Sequence, residues 1–397
     1  MSDRFFDVIV VGAGPAGSYT AYELASAGHD VAVFEAKSAV GVNVCCTGII
    51  SAECFGLLDP GVDVVLHKAR SASFFSPSGR RLRLEAGQTQ AYVVDRRLLD
   101  QSIATRSQSR GAQYFLSSKV VGIVRDRDGV QVEALRCGVR EVFRARAVVL
   151  ANGFSPGLFR KLGPGRIGSF LVGAQAEVEV SEVQEIEVYT GEEVAPGSFA
   201  WLVPGYAGRA YVGLMAGAHA RLHLRRFVGR LSRQGRIDSA DLKVRQKLIP
   251  TDTLARSYGN RLLVVGDAAG QAKPTTGGGI YFGHLGARMA AGVLSKALAS
   301  DNLSADRLSA YQKRWKEEMG RELSRGRWAR RVFGGLSDRQ IERMFSMLDD
   351  TGMARALLRA DDFSFDWHSR MLGALLRQAS AYPLRKIGRA LCRETIS

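Results

Sequence analysis

The chain has 397 residues, enough to bury a sizeable core and form two or three lobes. It carries 55 Lys+Arg against 39 Asp+Glu, a formal charge of +16. That balance suits an anionic membrane surface or an acidic protein, whereas no nucleic-acid motif accompanies it and no nucleic-acid role is expected. Five cysteines, Cys45, Cys46, Cys54, Cys137 and Cys392, show neither a disulfide framework nor zinc-ligand spacing, so no metal is expected. Met1 to Arg4 lead straight into a first strand, so no signal peptide is expected. No apolar run approaches the roughly eighteen residues of a spanning helix. A cytoplasmic protein is expected.

In chain order, Asp7-Val8-Ile9-Val10-Val11 predicts a short strand buried on both faces. It runs into Gly12-Ala13-Gly14-Pro15-Ala16-Gly17, a helical stretch over 18–27, and a second apolar strand, Val31 to Phe34, that ends on Glu35. Each part serves a dinucleotide. Gly12 allows a tight turn, Gly14 lets a pyrophosphate approach the backbone, and Gly17 lets the helix pack on the sheet. The helix N-terminus turns unpaired N–H groups and its positive dipole end toward phosphate. Glu35 stands where a carboxylate accepts ribose hydroxyls.

Cys45-Cys46-Thr47-Gly48 follows as a polar, glycine-containing loop, and 66–89 alternates apolar and polar residues about the turn Ser76-Pro77-Ser78-Gly79. Arg96 opens a helical stretch to Gly111, and Val148 to Leu150 lead through Asn152 to Gly153. Over 166–249 the alternation predicts antiparallel strands, with Phe199 and Trp201 at alternate positions ahead of Pro204. Arg261 to Val265 form another buried strand. It ends in Gly266-Asp267-Ala268-Ala269-Gly270, then Gly277-Gly278-Gly279-Ile280 and a long helix. An Asp just past a strand end can hold a ribityl hydroxyl. A glycine run opening a helix turns N–H groups toward a flavin's pyrimidine edge, where the reduced form carries negative charge. Residues 301–397 read as helical.

Taken in order, these elements predict FAD. The fold class is α/β with α+β inserts: a glutathione-reductase-type, Rossmann-like FAD domain over 1–65, 90–165 and 250–300, an antiparallel β-sheet substrate domain over 66–89 and 166–249, and a helical C-terminal region over 301–397. No second complete Gly-x-Gly-x-x-Gly follows a strand. Electrons therefore come either from NAD(P)H visiting the flavin face or from another protein of ferredoxin type.

These residues resemble the FAD-dependent geranylgeranyl reductase family, which includes archaeal digeranylgeranylglycerophospholipid reductases, over about 5–350. The resemblance rests on the glycine turn, on Cys46-Thr47-Gly48-Ile49-Ile50-Ser51, on Arg96-x-x-Leu99-Asp100, and on Gly266 to Gly270 with Pro274-x-x-Gly277-Gly278-Gly279-Ile280. Its most specific part is Phe199-x-Trp201-x-Val203-Pro204 followed by Gly213, similar to the family's aromatic-x-Trp-x-Phe-Pro motif at the isoprenoid cavity. It implies saturation of polyprenyl double bonds, in a lipid or a quinone side chain, by hydride from reduced FAD plus a proton. It also implies cofactor contacts at Gly12, Gly14, Ala16, Gly17, Glu35, Ala36, Cys46, Arg96, Val121, Gly153, Asp267 and Gly277 to Ile280. Cys46 and Gly48 are expected at the chemistry, with Cys45 able to substitute for Cys46. Phe199, Trp201 and Pro204 are expected at the substrate. Three positions depart from the pattern: Val203 replaces Phe, Met215 stands where a second Gly is expected, and Asn152 replaces the acid of an Asp-Gly pair.

Two alternatives share parts of this pattern. A monooxygenase or halogenase uses the same scaffold, and Lys68 lies where a halogenase needs its lysine. A redox-sensing flavoprotein without turnover is the more distant alternative. The basic segment Trp367 to Arg393 has helical apolar spacing, suiting either a helix on acidic headgroups, at the inner face of the cell membrane, or an ordinary packed helix.

Overall fold

A computed structural model describes residues 5–154, 165–180, 182–238, 242–350 and 364–367. The chain opens with β1 (Phe5–Val11), α1 (Pro15–Ser26), β2 (Val31–Phe34), β3 (Ile49–Ser51), α2 (Ala52–Leu58) and β4 (Val65–Ala69). Then come β5 (Ser71–Phe75), β6 (Arg81–Glu85), β7 (Ala91–Val94), α3 (Arg96–Ser109), β8 (Gln113–Phe115), β9 (Ser118–Arg125), β10 (Val130–Arg136) and β11 (Val139–Leu150). The middle holds β12 (Phe170–Val180), β13 (Ile186–Thr190), β14 (Phe199–Pro204), β15 (Arg209–Ala216), α4 (Ala220–Arg233), β16 (Ile237–Asp238) and β17 (Arg245–Pro250). The chain continues with β18 (Tyr258–Gly259), β19 (Leu262–Val264), α5 (Ile280–Ala299), α6 (Ala305–Trp315), α7 (Arg321–Gly334) and α8 (Asp338–Asp350).

The first sheet runs β18-β19-β11-β1-β2-β8, with β10 and β9 continuing from β11. Its centre is parallel, which is why β1 reads as an unbroken apolar run: Val8, Ile9 and Val10 have no exposure at all. The two faces of β1 go to different cores. Val8 and Val10 join Leu24, Ile103 and Phe282 under α1, α3 and α5. Ile9 and Val11 join Phe34, Val130 and Leu150 beneath the β9–β10–β11 meander. From β1 the chain builds outward to β2 and β8, then returns to add β11 and β19 on the other side. The carboxyl ends of β1 and β11 therefore flank a topological switch point, where open α/β sheets bind ligands.

The second sheet runs β16-β12-β15-β14-β13-β5-β6, with β17 also on β12. It is antiparallel except where β13 pairs in parallel with β5, so the antiparallel expectation holds with that one exception. α4 covers one face through Leu224, Phe227 and Leu231 against Ala174, Val212 and Leu214. The hairpin within 66–89 is confined to β5 and β6, closed by Gly79 N–H to Ser76 O at 2.9 Å. β4 instead joins β7 and β3 in a separate three-stranded sheet. Helices α6 to α8 follow as expected. Trp315, buried at the end of α6, donates its indole N–H to Ser257 Oγ at 2.9 Å and ties that helix to the strand edge. Among the described residues no helix is long and apolar enough to cross a membrane. Of the basic segment 367–393, all but Trp367 lies outside the described residues.

One contact fixes the geometry of the switch point. A Cβ on Gly17 would run into the Gly12 carbonyl oxygen and lie 3.0 Å from Ala151 Cβ, so α1 meets the turn and the end of β11 with no side chain between them. Gly17→Ala is expected to destabilise the protein by about 1–3 kcal/mol, the usual cost of overpacking. Gly229→Ala, where the added methyl meets nothing within 4 Å, is the control and should be neutral or slightly stabilising. Urea unfolding of both variants checks this; equal midpoints would show that the Gly17 contact is not the constraint.

Candidate functional site

A single cavity of about 1630 Å³ lies against the switch point and extends beneath the second sheet. Gly12, Gly14 and Ala16 are on its wall, while Gly17 stands behind it as the packing glycine. α1 begins at Pro15 with Gly14 as its cap residue, no side chain capping it and no acid in its first turn. Its N–H groups and dipole are thus left for something in the cavity. Glu35 is held by the backbone at both oxygens: Oε2 accepts from Ala13 N–H at 2.9 Å and Oε1 from Lys37 N–H at 3.0 Å. Ala36 and Val121 line the same end.

A second helix start faces the cavity from the other side. α5 is capped by Gly279, again without a side-chain cap or an acid in the first turn. The turn before it is closed by Gly277 N–H to Lys273 O at 2.8 Å and Lys273 N–H to Gly278 O at 3.0 Å. Gly277, Gly278, Gly279, Ile280 and Asp267 all lie on the wall. Asp267 Oδ2 is 2.6 Å from Lys247 Nζ, which reaches in from β17. Asp267 holds that ammonium above the usual lysine range against the opposing effect of burial. Gly153 is on the wall as well, next to Asn152, whose Oδ1 is buried without a hydrogen-bond partner.

Cys46 lies between these two ends. Its Sγ accepts from Gly48 N–H at 3.4 Å, and Arg96 is its charged neighbour. Arg96 pairs with Asp100 at 2.9 Å, the two side chains only 11% and 4% exposed. Burial opposes the Arg96 charge, but Asp100 and Cys46 more than offset it, and the guanidinium is held charged. Burial also pushes the Cys45 thiol up to about 11, so Cys45 is a neutral neighbour. Gly48 has φ +74°, and a Cβ there would collide with the Val94 carbonyl; it shapes the loop from behind the wall.

The far arm of the cavity is apolar. Phe74, Leu82 and Leu84 come from the β5–β6 hairpin, Phe199 and Trp201 from β14. The Trp201 ring packs over Gly213, where a Cβ would sit 2.5 Å from it. Met215 is on the wall where the two arms meet, its sulfur 3.0 Å from where a Gly277 Cβ would be. Val203 and Pro204 are buried, and neither is on the wall; Pro204 ends β14 opposite Ala210. Lys68 is exposed on β4, off the wall, so the halogenase lysine has no counterpart there.

The residues present fit FAD. Two uncapped helix N-termini, an oriented carboxylate at each end, the space left open at Gly14 and the orphaned Asn152 oxygen match a dinucleotide's anionic centre and hydroxylated ends. Three contributions escaped the sequence reading. Lys247 sits on a strand with no motif around it. The wall residues Phe333, Phe345 and Leu348 come from α7 and α8, where helical spacing at Ile341, Phe345 and Leu348 was the available signal. Asp366, also on the wall, comes from Ser364 to Trp367 and had no signal.

Comparison with known proteins agrees with this geometry. A family model described as pyridine nucleotide-disulphide oxidoreductase matches residues 6–187. The digeranylgeranylglycerophospholipid reductase of Methanocaldococcus jannaschii is 31% identical over 357 residues, covering 87% of this chain and 91% of the relative. Digeranylgeranylglycerophospholipid reductase 2 of Methanopyrus kandleri is 31% identical over 374 residues, covering 88% and 92%. Among solved structures, a geranylgeranyl bacteriochlorophyll reductase-like protein from Thermoplasma acidophilum shares the fold, with TM-score 0.83, 23% identity and coverage of 96% and 97%. The chain belongs to the FAD-dependent geranylgeranyl reductase family, with digeranylgeranylglycerophospholipid reductases as its relatives.

Proposed function

We propose that the protein saturates carbon–carbon double bonds of a geranylgeranyl-type polyprenyl chain, on a lipid or a quinone, with FAD as cofactor. The observation that carries this reading is that the dinucleotide cradle and the apolar arm are one cavity. At about 1630 Å³ it exceeds the roughly 300–1,000 Å³ of an ordinary small-molecule pocket, leaving room for a long apolar chain beside the cofactor. Glu35 and Ala36, with Val121, would hold the adenosine end. Gly12, Gly14, Ala16 and Gly153 would hold the pyrophosphate, and Asp267, Gly277 to Gly279 and Ile280 the flavin end. When bound there, FAD supplies the hydride. Electrons would reach it from NAD(P)H, a donor that the pyridine-nucleotide family match supports, or from a ferredoxin-type protein.

The chain's own residues supply the rest. An isolated alkene is a poor hydride acceptor, so the reacting bond must be held still and kept dry. Phe199 and Trp201 would grip the polyprenyl chain from β14, with Pro204 acting through the strand end. Saturating one bond takes one hydride and one proton. Cys46 would supply that proton from Sγ, a role supported by its position beside the Gly48 N–H and Arg96. Access from a membrane has support in α7. Its outer face exposes Trp328 (63%) and Val332 (46%) among Arg321, Arg325 and Arg331, while Arg330 and Phe333 of the same helix line the cavity. An aromatic anchor ringed by arginines suits the surface of an anionic bilayer.

Three measurements check this reading. Anaerobic protein, its flavin reduced chemically and mixed with a geranylgeranyl lipid, is expected to give stepwise mass gains of hydrogen pairs as the flavin reoxidises. No mass change, with reoxidation only on admitting oxygen, would point to oxygen chemistry instead. In Cys46→Ala the same reduction should slow by roughly 10²-fold or more, the scale of a lost general acid, with FAD still bound; unchanged turnover removes Cys46 from the mechanism. Trp328→Glu is expected to weaken co-sedimentation with phosphatidylglycerol vesicles severalfold, whereas equal sedimentation would clear α7 of any membrane role.

A further inference from the structure

The turn that opens α5 carries a charge that the reading above does not use. Lys273 is 6% exposed and its Nζ lies 2.7 Å from Asp366 Oδ1, whose side chain is 3% exposed. Nζ also donates to the Phe365 carbonyl at 3.2 Å and sits 4.7 Å from the centroid of the Phe365 ring. The partner segment, Ser364 to Trp367, is 93 residues away in the chain at the ion pair. Trp367 fastens it to the start of α5: its Nε1 donates to Tyr281 Oη at 3.2 Å, and its ring packs edge-on against Tyr281 and Phe282. Tyr281 Oη in turn donates to Glu53 Oε1 at 2.5 Å.

Stability does not account for this pair. Two charges taken from water lose several kcal/mol of solvation each, and a well-packed apolar pair often does as well or better. This pair is also incompletely satisfied. Asp366 Oδ2 is buried without a hydrogen-bond partner, and Asp366 and Lys273 are both on the cavity wall. Lys273 Cε is 2.9 Å from where a Gly278 Cβ would stand, so the ammonium rides on the backbone of the glycine run. A cation there adds to the positive end of the α5 dipole, and the carboxylate behind it subtracts.

We infer that Lys273 and Asp366 set the reduction potential of the flavin held at Gly277 to Gly279, Lys273 raising it and Asp366 holding it down. This rests on the assignment of that turn to the flavin. Two electrons and one proton taken up by oxidised flavin leave one net negative charge on the reduced ring. A nearby cation stabilises that charge and a nearby carboxylate opposes it. Neither side chain takes part in the transfer; both act across the turn.

The two single variants should therefore move the potential in opposite directions, which a merely structural role would not do. In the FAD-loaded protein equilibrated against a reference dye, Lys273→Met is expected to lower the ratio of reduced to oxidised flavin about tenfold, or about 30 mV for a two-electron couple. Asp366→Asn should raise it, and the double variant should return it toward the parent value. With FAD bound in each variant, no shift, or shifts of the same sign, would overturn the inference. Should a single variant fail to fold, the double variant together with the remaining single one still decides the sign. Failure of the parent protein to retain FAD would overturn the assignment of the flavin site itself.

Discussion

Everything in this site depends on how closely three pieces of backbone approach one another at the end of β1. Gly12 sits where a Cβ would be 2.6 Å from the Ala151 carbonyl, and Gly17 packs on Gly12 with no room for a methyl group. That contact brings β1, β11 and the first turn of α1 to one point. The chain then has no side chain with which to cap α1, so its N–H groups are presented to the cavity. An uncapped helix start left facing a cavity is costly unless something anionic meets it. The same logic repeats at Gly279, and the two helix starts together make the cavity a cradle for one extended anionic molecule.

The apolar arm is built by a different principle. The hairpin β5–β6, the strand β14 and the helices α7 and α8 each turn one apolar face inward, and the chamber is what remains between them. Its shape depends on packing, so the family departures bear on it unequally. Val203 is buried away from the wall, and replacing Phe there alters what supports β14. Met215 stands on the wall beside Gly277, close enough to fill the space that a side chain there would need.

Much of the cofactor end was legible in the sequence because backbone conformation demands particular residues there. Glycines at 12, 14 and 17, an acid closing a strand at Glu35, and Asp267 followed by a glycine run are local requirements. The strands of the second sheet were legible from alternation, although the parallel register of β13 on β5 was not, since alternation carries no direction. Ion pairs were the least visible part. Lys247 meets Asp267 across 20 residues and Lys273 meets Asp366 across 93. Nothing in the local pattern of either lysine announces its partner, because that choice is made by tertiary packing.

The pairing of Lys273 with Asp366 also limits how freely this protein could exchange parts with its relatives. The lysine belongs to the glycine-rich turn that opens α5, while the aspartate arrives on the C-terminal region, a boundary that looks convenient for recombination. A chimera joined between them to a chain lacking the matching charge would leave a bare cation or a bare carboxylate buried in the cavity wall. Lys273 and Asp366 thus form one electrostatic unit across 93 residues of chain, although nothing in their local sequence marks them as one.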